Sequence, residues 1–138
     1  MMLLKEVNFY QTRKNARNVL KHYRRLERIA GRSAIDVRSP IITDMPKGDR
    51  YGNSAEDAIL QRMDAEAERD AIIAALMALK LTNRQILYYT FCAVEEYSNI
   101  RISSELGYSV RQVQRMRSEA LIEFAESYRQ GKLISYRL

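Results

Sequence analysis

Apolar residues recur at helical spacing through most of the chain and lose that spacing once. Between residues 8 and 30, Ala16, Leu20, Tyr23 and Ala30 fall on one side, with Val19 and Leu26 beside them, which predicts a helix with one buried stripe. Gly31 stands where a C-terminal cap belongs. From 32 to 53 the period disappears. This stretch holds both prolines, Pro40 and Pro46, and each disfavours helix at the residue before it. It also holds Ile35, Val37, Ile41, Ile42 and Met45, too apolar for a free linker. It reads as an irregular segment packed partly on a helix or ordered by a partner. Residues 54–79 predict a second long helix, capped by Asn53 or Ser54, with Glu56 and Asp57 in its positive first turn. Ile59, Met63, Ala67 and Ala71 follow at intervals of four, a narrow row suited to a seam between two helices or two copies. Ile72, Ile73, Leu76, Met77 and Leu79 then broaden into ordinary core.

Three further helices complete the pattern. Thr82 is the expected cap of a helix over 83–93 with Ile86, Leu87, Tyr89, Phe91 and Ala93 as its apolar positions. Ser98 or Asn99 opens a short helix to about Leu106, stopped at Gly107. Ser109 opens the last helix, to about Arg129, and Gln112 three residues on has capping-box spacing. The expected fold class is all-α: a basic N-terminal helix (1–31), an irregular linker (32–53) and a helical domain (54–138) with a helix-turn-helix at about 98–129.

Composition narrows the function classes. The 138 residues are 46% apolar, enough for a core, with only five Gly and two Pro, which disfavours turn-rich all-β architectures. No apolar run is long enough to span a membrane, and the N-terminal one is too short for a signal peptide. One Cys and one His cannot supply the usual zinc ligands, so no metal and no cofactor is expected. His22 lies in a basic helix away from any carboxylate pair and reads as a surface residue. Cys92 sits in an apolar helix and reads as core. Adjacent Glu95 and Glu96 diverge on a helix. There is no phosphate-binding Gly loop, Ser-centred elbow or HExxH. The expectation is no enzyme.

The charge is +6 and uneven. Residues 1–39 carry ten Lys/Arg against three Asp/Glu, whereas 53–81 carry three against six. Lys14, Arg17, Lys21, Arg24, Arg25 and Arg28 are spaced to form one column opposite the apolar stripe of 8–30. Like charges so arranged repel; a polyanion beside them removes the penalty. A solvated face is the plainer alternative.

The residues richest in recognition chemistry lie between Tyr97 and Tyr128. Val113, Met116, Ala120 and Phe124, flanked by Leu121 and Tyr128, form the inward face of the last helix. Arg111, Gln114, Arg115 and Ser118 recur at i, i+3, i+4 and i+7 on the opposite face, with no acid among them before Glu119. Arg bonds a guanine edge and Gln an adenine edge bidentately, so these side chains are candidates for reading bases in the major groove of double-stranded DNA. Gln112 stands at the margin of that stripe. Arg101 and the capping residue Ser109 are candidate phosphate contacts, as are the six basic residues of the column. Arg117 projects near the inward face, from which it either reaches a phosphate or pairs with an acid. Ile122 reads as a lone surface apolar residue.

YRRLERIAG (23–31), SPIITDMPK (39–47), GNSAED (52–57) and LGYSVRQVQRMRSEALIEFAESY (106–128) stand in the order seen in the ArpU-type phage regulators, and the chain resembles that family over most of its length. The C-terminal half, from about Ile72 to Phe124, is similar to region 4 of bacterial sigma factors, apart from Arg117, where that pattern has an apolar residue. The resemblance implies a sequence-specific DNA-binding activator of phage late packaging and lysis genes in the bacterial cytoplasm; RNA polymerase is a further candidate partner. Pairing of two copies through 54–79 would imply two half-sites about one helical turn apart. Three rivals carry the same residues: a terminase-recruiting packaging adaptor, a polymerase-binding module with little DNA affinity, and a basic membrane-surface protein. The last fits least, because the apolar side of 8–30 is modest.

Overall fold

A computed structural model describes residues 5–31 and 52–137. Among these the protein is helical: α1 (Phe9–Leu20), α2 (Tyr23–Ala30), α3 (Gly52–Met77), α4 (Leu81–Leu87), α5 (Asn99–Leu106) and α6 (Val110–Ser127). Contacts divide them into a larger unit, up to Arg24 and from Ala71 onward, and a smaller one from Arg25 to Asp70. The expected irregular segment lies largely outside the described residues.

In the larger unit α6 is the hub, with α1, α4 and α5 packed on it. Val113, Ala120, Leu121, Phe124 and Ala125 are fully buried along its inward side, and Met116 is half-buried, as the apolar period predicts. Ile122 is half-buried too, not the surface residue expected. Ile86 of α4, Ile102 of α5 and Val113 of α6 form a small core sealed by Tyr89, Tyr97, Leu106, Tyr108 and Met116. That cluster sets α4, α5 and α6 against one another.

The turn between α5 and α6 follows from local chemistry. The Ser98 side chain accepts the Arg101 N–H at 3.1 Å and opens α5. Gly107 closes it in the left-handed region, φ +79, its N–H donating to the Ser103 carbonyl at 2.9 Å. The Ser109 hydroxyl accepts the Gln112 N–H at 3.1 Å while the Ser109 N–H donates to Gln112 Oε1 at 2.9 Å, a complete capping box. A Cβ at Gly107 would meet nothing within 4 Å, so Gly107→Ala is a test of backbone strain alone. It is expected to cost about 1–2 kcal/mol in equilibrium urea unfolding. A neutral result would show that the turn relaxes out of the left-handed region.

Four elements depart from the period-based expectations. The helix expected over 8–30 is two helices: Asn8 caps α1 by accepting the Gln11 N–H, and the chain breaks at Lys21–His22 before α2. α3 begins at Gly52, so Asn53 and Ser54 lie inside it rather than capping it. Thr82 is likewise inside α4; the cap position is Lys80, which makes no side-chain cap bond. After Leu87 the helix widens into a π turn, Tyr88–Cys92, where the Ala93 N–H reaches back to the Tyr88 carbonyl at 2.9 Å. Finally, α6 stops at Ser127, because Arg129 and Gln130 turn left-handed and send the chain back toward α1.

That returning tail is tied to the N-terminus. The Asn8 N–H donates to the Ser135 carbonyl at 2.8 Å, the Ser135 N–H to Thr12 Oγ1 at 2.9 Å, and the Arg137 N–H to the Glu6 carbonyl at 2.9 Å. Val7 and Tyr136 form an isolated antiparallel bridge, and Thr12 is wholly buried beneath the tail. In the smaller unit, Gly31 closes α2 in the left-handed region, and α3 caps its end: Arg62 donates to the Ala30 carbonyl at 3.2 Å and Arg69 to that of Gly31 at 3.3 Å. No described helix is long and apolar enough to cross a membrane.

Candidate nucleic-acid interface

With its inward face locked against α1, α4 and α5, α6 presents the opposite face to solvent. Arg111, Gln114, Arg115 and Ser118 are all exposed on it. Gln112 is also exposed, but its Oε1 is occupied by the Ser109 N–H, so only its amide N–H groups remain to face a ligand. Ser109 is exposed at the same end, where the helix dipole and the first-turn N–H groups favour an anion. Arg101 lies over the Tyr97 ring, its guanidinium carbon 3.7 Å from the centroid, with Glu95 3.9 Å away. These weak partners leave it at the surface, half exposed.

Two arginines read from the sequence as phosphate contacts are built into the fold instead. Arg24 donates to the carbonyls of Ala93, at 2.6 Å, and Thr90, at 3.3 Å, satisfying the end of the π turn. Arg117 donates to Thr90 Oγ1 at 3.3 Å and to Asn99 Oδ1, bracing α6 against the π turn and the start of α5. Its partners within the chain are thus a hydroxyl and an amide oxygen rather than the acid that its position in the sequence offered. Burial and the nearby charge of Arg17 pull its pKa below the ordinary arginine value. Arg117→Ala is expected to cost about 1–2 kcal/mol in urea unfolding, the usual value of charged hydrogen bonds reduced for partial exposure. Arg117→Lys keeps the charge but not the fork and should recover less than half of that loss.

The rest of the basic column stays on the surface. Lys14, Arg17 and Lys21 are exposed on α1 and its C-terminal edge, and Arg25 and Arg28 on α2. The break at Lys21–His22 splits the column between two helices. His22 is exposed, its Nδ1 2.9 Å from the Asn18 carbonyl, and Cys92 is buried, as expected of each.

The later turns of α6 carry acids with a different task. Asn83 of α4 is fully buried, and its Nδ2 donates to Glu119 Oε1 at 3.2 Å and Glu123 Oε1 at 2.9 Å. Lys80 lies 3.3 Å from the same Glu119 oxygen. The Asn83 hydrogen bond, and after it Lys80, holds the Glu119 carboxyl below its usual pKa of 4.5. A depressed carboxyl stabilises the fold fully above its unfolded pKa, and the benefit is lost as pH falls through the lower folded value. The tie between α4 and α6 therefore weakens only in acid. Asn83 and Thr90 were not singled out from the sequence, and Asn99 was named only as an alternative cap of α5. A usable signal existed for Asn83, a polar residue three before Ile86 and four before Leu87 on the buried stripe of α4.

Two known proteins align with the whole chain. ArpU of Enterococcus hirae, whose name proposes an autolysin regulatory role, is 68% identical over 137 residues, covering 99% of this chain and all of the relative. A protein of the same name from Streptococcus phage O1205 is 31% identical over 138 residues, again covering 99% and 100%. The chain belongs to the ArpU family. No family profile matches it, and no solved structure does. ArpU family membership accords with the order of sequence blocks at 23–31, 39–47, 52–57 and 106–128.

Proposed function

We propose that this ArpU family member is a sequence-specific, double-stranded-DNA-binding transcriptional regulator acting in the bacterial cytoplasm, an activator of phage late genes for packaging and lysis. The observation that supports it most is the N-terminal half of α6: Arg111, Gln114, Arg115 and Ser118 face solvent together while the opposite side is buried. A helix so held enters a major groove with its base-reading chemistry leading. Lys14, Arg17, Lys21, Arg25 and Arg28, with Arg101 and the α6 N-terminus at Ser109, supply phosphate contacts that add affinity without sequence choice. Arg24 and Arg117 are left out of that set because their guanidinium groups serve the fold. The relatives' names, with an autolysin as the regulated target and a phage as one source, agree with a lysis-gene regulator. The similarity of Ile72–Phe124 to sigma region 4 suggests RNA polymerase as a second contact. The reading needs no catalytic residue, metal or cofactor.

Selection of bound fragments from a library of the source genome, at two salt concentrations, tests this reading. The expected result is one enriched site that survives the higher salt and lies upstream of a late operon. Equal recovery of all fragments, lost as salt rises, would leave only the phosphate term and overturn sequence-specific regulation.

A further inference from the structure

α1 buries one side and exposes the other. Thr12, Ala16 and Leu20 are buried. On the opposite side Tyr10, Lys14, Arg17 and Lys21 stand at i, i+4, i+7 and i+11, all exposed. Lys21 caps the helix in helical geometry, so the row runs unbroken for about 16 Å. The helix, FYQTRKNARNVL, holds no acid. Among the described residues no carboxylate pairs with Lys14, Arg17 or Lys21.

Like charges at this spacing repel one another. Burial, and after it the charge of Arg17, lowers the pKa of Arg117 in α6, so the repulsion reaches beyond α1 itself. The unbound fold carries that repulsion, and a polyanion lying along the row relieves it. Phosphates lie about 3.4 Å apart along a stacked strand, so the row spans several of them. It is also single file, suited to following one backbone rather than bridging two across a groove.

The aromatic end of the row adds a second demand. Tyr10 is 70% exposed and Phe9 beside it 53%. In a paired duplex the faces of the bases are covered by their neighbours, so a ring held over the backbone finds nothing to stack on. In an unpaired strand those faces are open, and every base offers one. We infer that the exposed face of α1 binds single-stranded nucleic acid, with Lys14, Arg17 and Lys21 following the phosphates and Tyr10 stacking on an unpaired base. An anionic lipid surface fits less well, because the row lacks a wedge of bulky apolar side chains. The three cations are those proposed above for duplex phosphates, and Tyr10 is what separates the two ligands. The base-reading face of α6 takes no part, so this inference and the regulatory reading fail separately.

Fluorescence anisotropy of the full chain tests it with three labelled probes of equal length: oligothymidylate, an abasic strand of the same charge and a mixed-sequence duplex. Oligothymidylate is expected to bind about fivefold or more tighter than the abasic strand. Tyr10→Ala should remove that margin, keep the affinity for the abasic strand and the duplex, and leave the circular dichroism spectrum unchanged. Tyr10→Phe should keep the margin, because stacking needs the ring and not the hydroxyl. Lys14→Ala or Lys21→Ala should weaken all three probes and reduce the salt slope. Oligothymidylate bound no tighter than the abasic strand would overturn the inference. So would an even loss on all three probes in Tyr10→Ala. Flotation with phosphatidylglycerol vesicles supplies the remaining arm: vesicle binding lost in Tyr10→Ala, with oligothymidylate binding unchanged, would assign the ring to a lipid surface instead.

Discussion

Replacing Arg111 or Arg115 with alanine is expected to weaken binding to the selected DNA site by about 1–3 kcal/mol each, roughly 5- to 150-fold, with little change on unrelated DNA. Both side chains are exposed on the leading half of α6, and no salt bridge engages either among the described residues. Their removal should thus leave the fold intact and act on the complex alone. The comparison that gives the prediction its force is with the basic surface. Lys21→Ala or Arg25→Ala should weaken all DNA about equally and reduce the salt slope by about one. Quantitative binding to specific and scrambled duplexes at several salt concentrations separates the two behaviours. Should both classes of variant lose affinity evenly on every sequence, α6 would not be the reading helix.

A second large effect is expected in stability. Phe124 is fully buried, stacks on Tyr128 with ring centroids 5.5 Å apart, and lies on the α6 face that packs against α1 and α4. Phe124→Ala removes most of that side chain and leaves a cavity, at an expected cost of about 3–5 kcal/mol. Total stability for a domain of this size is about 5–15 kcal/mol, so the variant should be marginal at physiological temperature. Phe124→Leu should recover much of the loss, because it refills part of the volume. Urea unfolding followed by circular dichroism measures both. A cost below about 1 kcal/mol for the alanine variant would show that the second half of α6 repacks freely. The leucine variant should still bind the specific site, which separates the packing role of Phe124 from the recognition roles proposed for Arg111 and Arg115.

The pair α5 and α6 and the turn between them were legible in the sequence because their determinants are local. The Ser98 cap, the left-handed turn at Gly107 and the Ser109–Gln112 box each close hydrogen bonds within about five residues, and the side chains that make them have few alternatives. The inward face of α6 was legible for a related reason. An apolar residue at the right phase has one stable destination, so Val113, Ala120, Leu121 and Phe124 could be assigned to the core in advance. The same holds for Ala16, Leu20, Tyr23 and Ala30, even though the helix carrying them is broken at Lys21–His22.

Arginine has no such single destination. Arg24 and Arg25 are neighbours with the same chemistry, yet Arg24 turns to carbonyls 66 and 69 residues away and Arg25 stays in solvent. Arg111, Arg115 and Arg117 divide in the same way, two outward and one into a brace with Thr90 and Asn99. The choice depends on where unsatisfied acceptors lie in the folded chain, such as the π-turn carbonyls. The pairing of the C-terminal tail with α1, across 123 residues, and the burial of Thr12 and Asn83 belong to the same class. The sequence by itself determined helices α5 and α6, their caps and the apolar stripes, since these follow from backbone hydrogen bonding and residue spacing. Only the tertiary structure decided which polar side chains were drawn inside and which were left in solvent, because that depends on acceptors and donors contributed by distant segments.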